Sequence, residues 1–200
     1  METHCLFLPD EIALLSNPTF FEQKRNATEK LKRLMEEIRT AFLEEIHPHE
    51  LLAPIRTDFL KGQIAKGENY EGYPYVMLDF PKHFGKESIF TFRTLFWFGH
   101  ALIFSVILAG THLEDYRKKF AGCYERLCEA RVQIGIGDVW DWRERASRQL
   151  SQENKGELLQ LNQPFLKVMK RFPPAILSNE ITVISEAKAF YQTVKPIIQK

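Results

Sequence analysis

Residues 88–109 read SIFTFRTLFWFGHALIFSVILA, and the fold turns on whether they form one apolar helix or two strands. The run from Leu95 to Gly110 is apolar apart from His100 and Ser105. Its 16 residues fall short of the ~20 that a membrane-spanning helix requires. Gly99-His100 interrupts it, and β-branched and aromatic residues crowd both sides, which favours strands. With Gly99 at the first central position of a two-residue II′ turn, the segment is a hairpin of 88–98 and 101–109. Phe98 then pairs with Ala101 and Thr94 with Ser105. One face carries Phe90, Phe92, Thr94, Phe96, Phe98, Ile103 and Ile107. The other carries Ile89, Thr91, Arg93, Leu95, Trp97, Leu102, Phe104, Val106 and Leu108. Both are apolar, so the hairpin belongs inside a sheet covered on its two sides.

Upstream, Tyr73 to Phe80 reads as a strand whose start Pro74 confines to an edge, and Pro81 to Lys86 as a turn. Before it, Gly62, Gly67 and Gly72 punctuate a polar loop. Asn17-Pro18 supplies an N-cap and a first-turn proline for a long helix to about Ile46, whose stripe is Ala27, Leu31, Leu34, Met35, Ile38, Phe42 and Ile46. A shorter helix opens at Pro9 and ends near Leu15. Downstream, Thr111 and Glu114 have capping-box spacing for a helix to about Arg131. Val132 to Trp142 reads as a strand, Pro164 to Phe172 as a short helix, and Asn179-Glu180 as the start of a last helix. The fold expected is α+β: an antiparallel sheet of four to five strands around the hairpin, packed by the long N-terminal and C-terminal helices. The 200 residues form one domain, 1–200.

Lys plus Arg number 27 and Asp plus Glu 26, a formal charge of +1. That balance argues against a nucleic-acid or polybasic membrane binder, whose affinity needs excess positive charge. The 44 % hydrophobic fraction excludes a disordered chain. Cys5, Cys123 and Cys128 are too few and oddly numbered for a disulfide framework. No secretory signal is readable, so a cytoplasmic protein is expected.

Motifs for chemistry are sparse. Gly135-Ile-Gly-Asp-Val-Trp140 lacks the third glycine of a dinucleotide fingerprint, and no P-loop or Gly-x-Ser-x-Gly elbow occurs. His47, His49 and His83 have no spacing that demands a metal, so neither metal nor cofactor is expected. Polar residues in apolar strands say more, because a buried charge needs a partner. Arg93 stands mid-strand, and Asp79 ends the preceding strand on the side of Tyr73, Tyr75 and Met77. If those strands are neighbours, Asp79 and Arg93 form an ion pair rimmed by the tyrosines. Gln133, Gly135 and Gly137 leave a gap on one strand face that a crossing helix would fill or a ligand would use. Trp140 and Trp142, beside Asp141, Arg143 and Arg145, suit an aromatic-cationic platform or a subunit contact.

The segment Glu68-Asn-Tyr-Glu-Gly-Tyr-Pro-Tyr-Val-Met-Leu-Asp-Phe-Pro81, with the Phe/Trp-rich hairpin after it, resembles bacterial proteins classed as domains of unknown function. The resemblance covers about a quarter of the chain. It implies a bacterial, cytoplasmic protein and brings no active-site residues. Three functions are therefore weighed. The first is a small-molecule binding protein for an anionic or aromatic ligand, with a pocket between sheet and helices at Tyr73, Tyr75, Asp79, Arg93 and Trp97. The second is an enzyme with Asp79 or His83 as base beside Arg93. The third is an interaction domain, with a homodimer as the simplest assembly.

Overall fold

The computed structural model describes residues 6–200, so Cys5 lies outside the described residues. The expected hairpin is present as β3 (Ile89–Trp97) and β4 (Ala101–Ala109). Its loop is three residues long rather than two. His100 N–H donates to the Trp97 carbonyl, and Gly99 takes φ +74° at the third position, which makes this a type II turn. Arg93 therefore faces Ser105, and Trp97 faces Ala101. This one-residue slip moves every β4 side chain to the face opposite the one expected. Ile103, Ser105 and Ile107 lie with Arg93 and Leu95. Leu102, Phe104, Val106 and Leu108 join Phe90, Phe92 and Phe96.

Among the described residues the sheet has seven strands, the hairpin included, all antiparallel, in the order β1 (Gln63–Tyr70), β2 (Tyr73–Phe84), β3, β4, β7 (Phe165–Phe172), β5 (Gln133–Gly135) and β6 (Ser147–Gln149). The class is α+β, and four to five strands understates the sheet. The stretch read as a polar loop is β1 (Gln63–Tyr70), paired with β2 (Tyr73–Phe84). A β-bulge between Asp79 and Lys82 carries β2 through the expected turn at Pro81. The stretch read as a helix is β7 (Phe165–Phe172), inserted between β4 and β5 (Gln133–Gly135). Leu, Lys and Met in FLKVMKRF are good helix formers, but the partners on both sides override that preference. The expected strand 132–142 ends at Gly135, and β6 (Ser147–Gln149) completes the edge.

Helices cover one face only. α1 (Pro9–Leu15) and α2 (Pro18–Glu45) start as expected, with the Asn17 side chain accepting from Phe20 N–H. The third expected helix is divided at Cys123 into α3 (Leu113–Gly122) and α4 (Tyr124–Glu129), with no side-chain cap at its start. After α5 (Lys155–Leu159), α6 (Glu180–Ile198) closes the chain. Met35, Ile38 and Phe42 of α2 meet Phe92, Phe104, Phe190 and Tyr191 in one apolar layer. Among the described residues the other face carries no α-helix, only a single 3-10 turn at Glu144–Ala146. Residues 136–146 lie over Leu95, Ile103, Ile107 and Met169, with Val139 and Trp142 pressed onto them. Among the described residues no helix is long and apolar enough to cross a membrane.

Candidate functional site

A polar row crosses the helix-free face. Asp79, Arg93, Ser105, Met169 and Gln133 are successive neighbours on β2, β3, β4, β7 and β5. Asp79 is 1 % exposed. Arg93 Nε donates to its Oδ1 at 2.7 Å and Nη2 to its Oδ2 at 2.7 Å, a bidentate pair. The guanidinium carbon sits 4.7 Å from the Trp140 ring and 5.8 Å from the Trp142 ring. Nη1 has no hydrogen-bond partner among the described residues. Arg93 is thus held from one side by a carboxylate and stacked on indoles, with both N–H groups of Nη1 to spare.

Two glycines shape the surroundings by close approach. Gly67 lies opposite Tyr75, and a Cβ there would enter the Tyr75 ring, so the ring lies flat across β1. A Cβ on Gly135 would collide with the Lys167 side chain. The gap left by that glycine is filled by Lys167 from the neighbouring strand, neither by a crossing helix nor by a cleft.

Lys167 is fully buried. Its Nζ donates to the Val139 carbonyl at 3.0 Å and the Asp141 carbonyl at 2.7 Å, and lies 4.6 Å from the Trp142 ring. Burial lowers its pKa to about 8, against the pull of nearby Asp141. Arg171 donates to the Trp142 carbonyl, and Trp142 N–H donates to Tyr70 Oη at 2.8 Å. Arg143 pairs with Glu71 at 3.2 Å and with Asp141, whose pKa is lowered chiefly by that hydrogen bond. Side chains from β1, β7 and the β1–β2 turn therefore hold residues 136–146 in place of a strand ladder.

Beneath this segment is a cavity of about 210 Å³, lined by Asn69, Tyr70, Tyr75, Met77, Arg93, Leu95, Trp140 and Trp142. Of the five residues expected at a pocket, Tyr75 and Arg93 line it and Asp79 stands behind Arg93. Trp97 is buried between Tyr70 and His100, ring centroids 5.0 and 3.7 Å away, and donates to the Tyr70 carbonyl. Tyr73 is half exposed and packs on His100 at the outer end of the hairpin. The cavity is roofed by a loop rather than by helices, because the covering segment expected as a strand leaves the sheet at Gly135. Sequence reasoning missed Asn69, Tyr70, Lys167 and Arg171. The signal for the last two was the alternation of cations with Leu166 and Val168, visible only once 165–172 is read as a strand.

The residues of the enzyme reading do not converge. The β2 bulge places His83 opposite Phe90, on the helix-covered face, where Nε2 lies 2.9 Å from Ser88 Oγ. Asp79 is occupied by Arg93. Among the described residues no group of three or more His, Cys, Asp or Glu is placed to hold a metal ion. Cys123 and Cys128 are free thiols whose pKa burial pushes up, the opposite of an activated nucleophile. A second, larger cavity of about 710 Å³ lies on the helix side between α2, the hairpin end and the start of α6, and contains none of the expected residues. No family model matches the chain, and neither a curated protein nor a solved structure does.

Proposed function

We propose that the protein binds a small, flat molecule bearing a hydrogen-bond acceptor or an anionic group, in the cavity against Arg93. One observation carries the reading: the free Nη1 of Arg93 belongs to a guanidinium fixed by Asp79 and stacked on Trp140, at the wall of an aromatic cavity. Fixing two of the three nitrogens lowers the entropy lost when the third engages a ligand. Tyr70, Tyr75, Trp140 and Trp142 supply flat apolar walls, and the Asn69 amide group, whose oxygen already accepts from Gly72 N–H, offers a second donor. At about 210 Å³ the space is below the ~300–1,000 Å³ usual for drug-sized ligands, so a single ring with one polar substituent fits its scale.

Titration of the protein with benzoate and with uncharged aromatic amides, followed by tryptophan fluorescence, tests this. Trp140 and Trp142 report on occupancy. The double variant Asp79→Leu/Arg93→Met removes the pair together and avoids leaving one charge unpaired. Binding that is lost in this folded variant supports the reading. A folded double variant that binds like the parent, or a parent that binds neither probe and carries no releasable mass in native mass spectrometry, overturns it.

A further inference from the structure

The first helix of the described residues is apolar and lies on the surface. α1 buries no residue of its own. Leu6, Leu8, Ile12, Leu14 and Leu15 are 48–84 % exposed, and Leu8, Ile12 and Leu15 form one stripe at i, i+4, i+7. Phe20 and Phe21 at the start of α2 are also exposed, and burial along α2 begins only at Leu31. A seven-residue helix is unstable alone in water, where even ~12–15 residues are marginal, so α1 needs a partner surface.

The large cavity is a seat without an occupant. Its apolar wall is Leu31, Leu34, Phe96, Phe98 and Leu177. Lys30 and Arg33 stand at its edge and make no ion pair among the described residues. Glu37 and Glu180 mark the opposite end. Residues 6–17 contain Asp10 and Glu11 and no basic residue, which complements the Lys30–Arg33 edge.

Helix α1 cannot lie in the seat of its own chain. Only Ser16 and Asn17 separate it from α2. Folded back, its seven residues reach ~10 Å along α2, whereas Ala27 to Glu37 lie ~15–30 Å from the α2 start at 1.5 Å per residue. A second copy has no such limit. Two α2 helices packed antiparallel about an axis at Phe21 set positions 9–15 of one copy, carried on along the α2 line, level with 27–33 of the other, within the span of the groove.

We infer that the chain forms a two-fold dimer by reciprocal insertion of α1 into the partner's groove between α2, the hairpin end and the start of α6. The contact is isologous, so each helix and each groove is used once per copy. Doubling a ten-residue insertion, with Phe20 and Phe21 at the axis, gives an area within reach of the ~1,200–2,000 Å² of stable interfaces.

Sedimentation of the full chain across a concentration series tests the inference, beside the variants Ile12→Glu/Leu15→Glu and Phe98→Lys. The two α1 substitutions replace exposed residues, so the fold remains. Expected are a dimer for the parent and a dimer dissociation constant raised ~100-fold or more in the α1 variant. Mixing the α1 variant with the Phe98→Lys variant is expected to restore one insertion and give heterodimers. A parent that stays monomeric at its solubility limit overturns the inference. So does a dimer unaffected by Ile12→Glu/Leu15→Glu, or a monomer releasing a bound amphiphile in native mass spectrometry, which assigns the groove to a lipid-like ligand.

Discussion

The two faces of the sheet are stabilised by different physics. Under the helices, Phe42, Phe92, Phe104, Phe190 and Tyr191 form a buried aromatic layer in which burial of apolar area is the driving term. On the other face, Asp79, Arg93, Lys167 and Arg171 are polar groups whose burial is tolerated only because each has a partner. The first face tolerates volume-conserving exchange and resists charge. The second holds its covering segment by a few directional bonds, over the small aromatic cavity that Arg93 lines. The lesson is that one sheet can keep apolar packing and paired polar groups on opposite sides.

Truncating the helix-side layer is expected to cost most. Phe92→Ala should lower unfolding stability by about 3–5 kcal/mol in urea titrations. Tryptophan emission from the opposite face should stay parental until the global transition. A cost below ~2 kcal/mol would mean that the layer repacks freely and the contrast between faces is false. Next comes Asp79→Ala, which strands the Arg93 guanidinium and should cost about 3 kcal/mol. The paired replacement Asp79→Leu/Arg93→Met should recover most of that loss. Recovery shows that the pair is dispensable for folding, which sharpens the case for a binding role.

Lys167 gives a pH signature on the loop-covered face. Its folded pKa is about 8 and its unfolded value 10.5. Between them the unfolded chain binds a proton that the folded chain has released, so stability rises with pH from about 8 towards 10.5. The slope is at most ~1.4 kcal/mol per pH unit for one proton. Tyr191 acts in the other direction above its unfolded value of 10.0, because burial first, then Glu50 and Glu45, raises it to about 12 in the folded state. The rise is therefore to be read between about pH 8 and 10, as the difference between parent and Lys167→Met. Equal pH profiles for the two proteins would place the titration elsewhere. Smallest is Tyr191→Phe. The Tyr191 hydroxyl is buried with no hydrogen-bond partner among the described residues, so its removal should stabilise by about 1 kcal/mol. A loss instead would reveal a bound water in the helix-side layer.

How much of this was legible follows from what each signal measures. Caps at Asn17 and Asn179 are local, and both helices begin where those residues place them. The ion pair was legible because an arginine in an apolar strand needs a neighbour, and Asp79 was at hand. The register of the hairpin was not, since Gly99 serves a three-residue loop as well as a two-residue one and nothing on two apolar faces chooses between them. β7 was hidden because its strand character comes from β4 and β5, both distant in sequence. The cavity was hidden for the same reason. Tyr75 and Arg93 could be named, but the roof over them leaves the sheet where Lys167 needs the space of Gly135.

The position of β7 has a consequence for synthesis. β4 emerges with an edge that is apolar apart from Ser105, ALIFSVILA, and its permanent partner β7 begins at Phe165, 56 positions after Ala109. At ~5–20 residues per second the ribosome leaves that edge uncovered for about 3–11 s. During this interval the nascent chain presents an unpaired strand able to template pairing with another chain. The ladder that makes the finished sheet continuous is therefore also the step at which a growing chain is most exposed to aggregation, and a chaperone acting on it would have to protect 101–109 until 165–172 arrives.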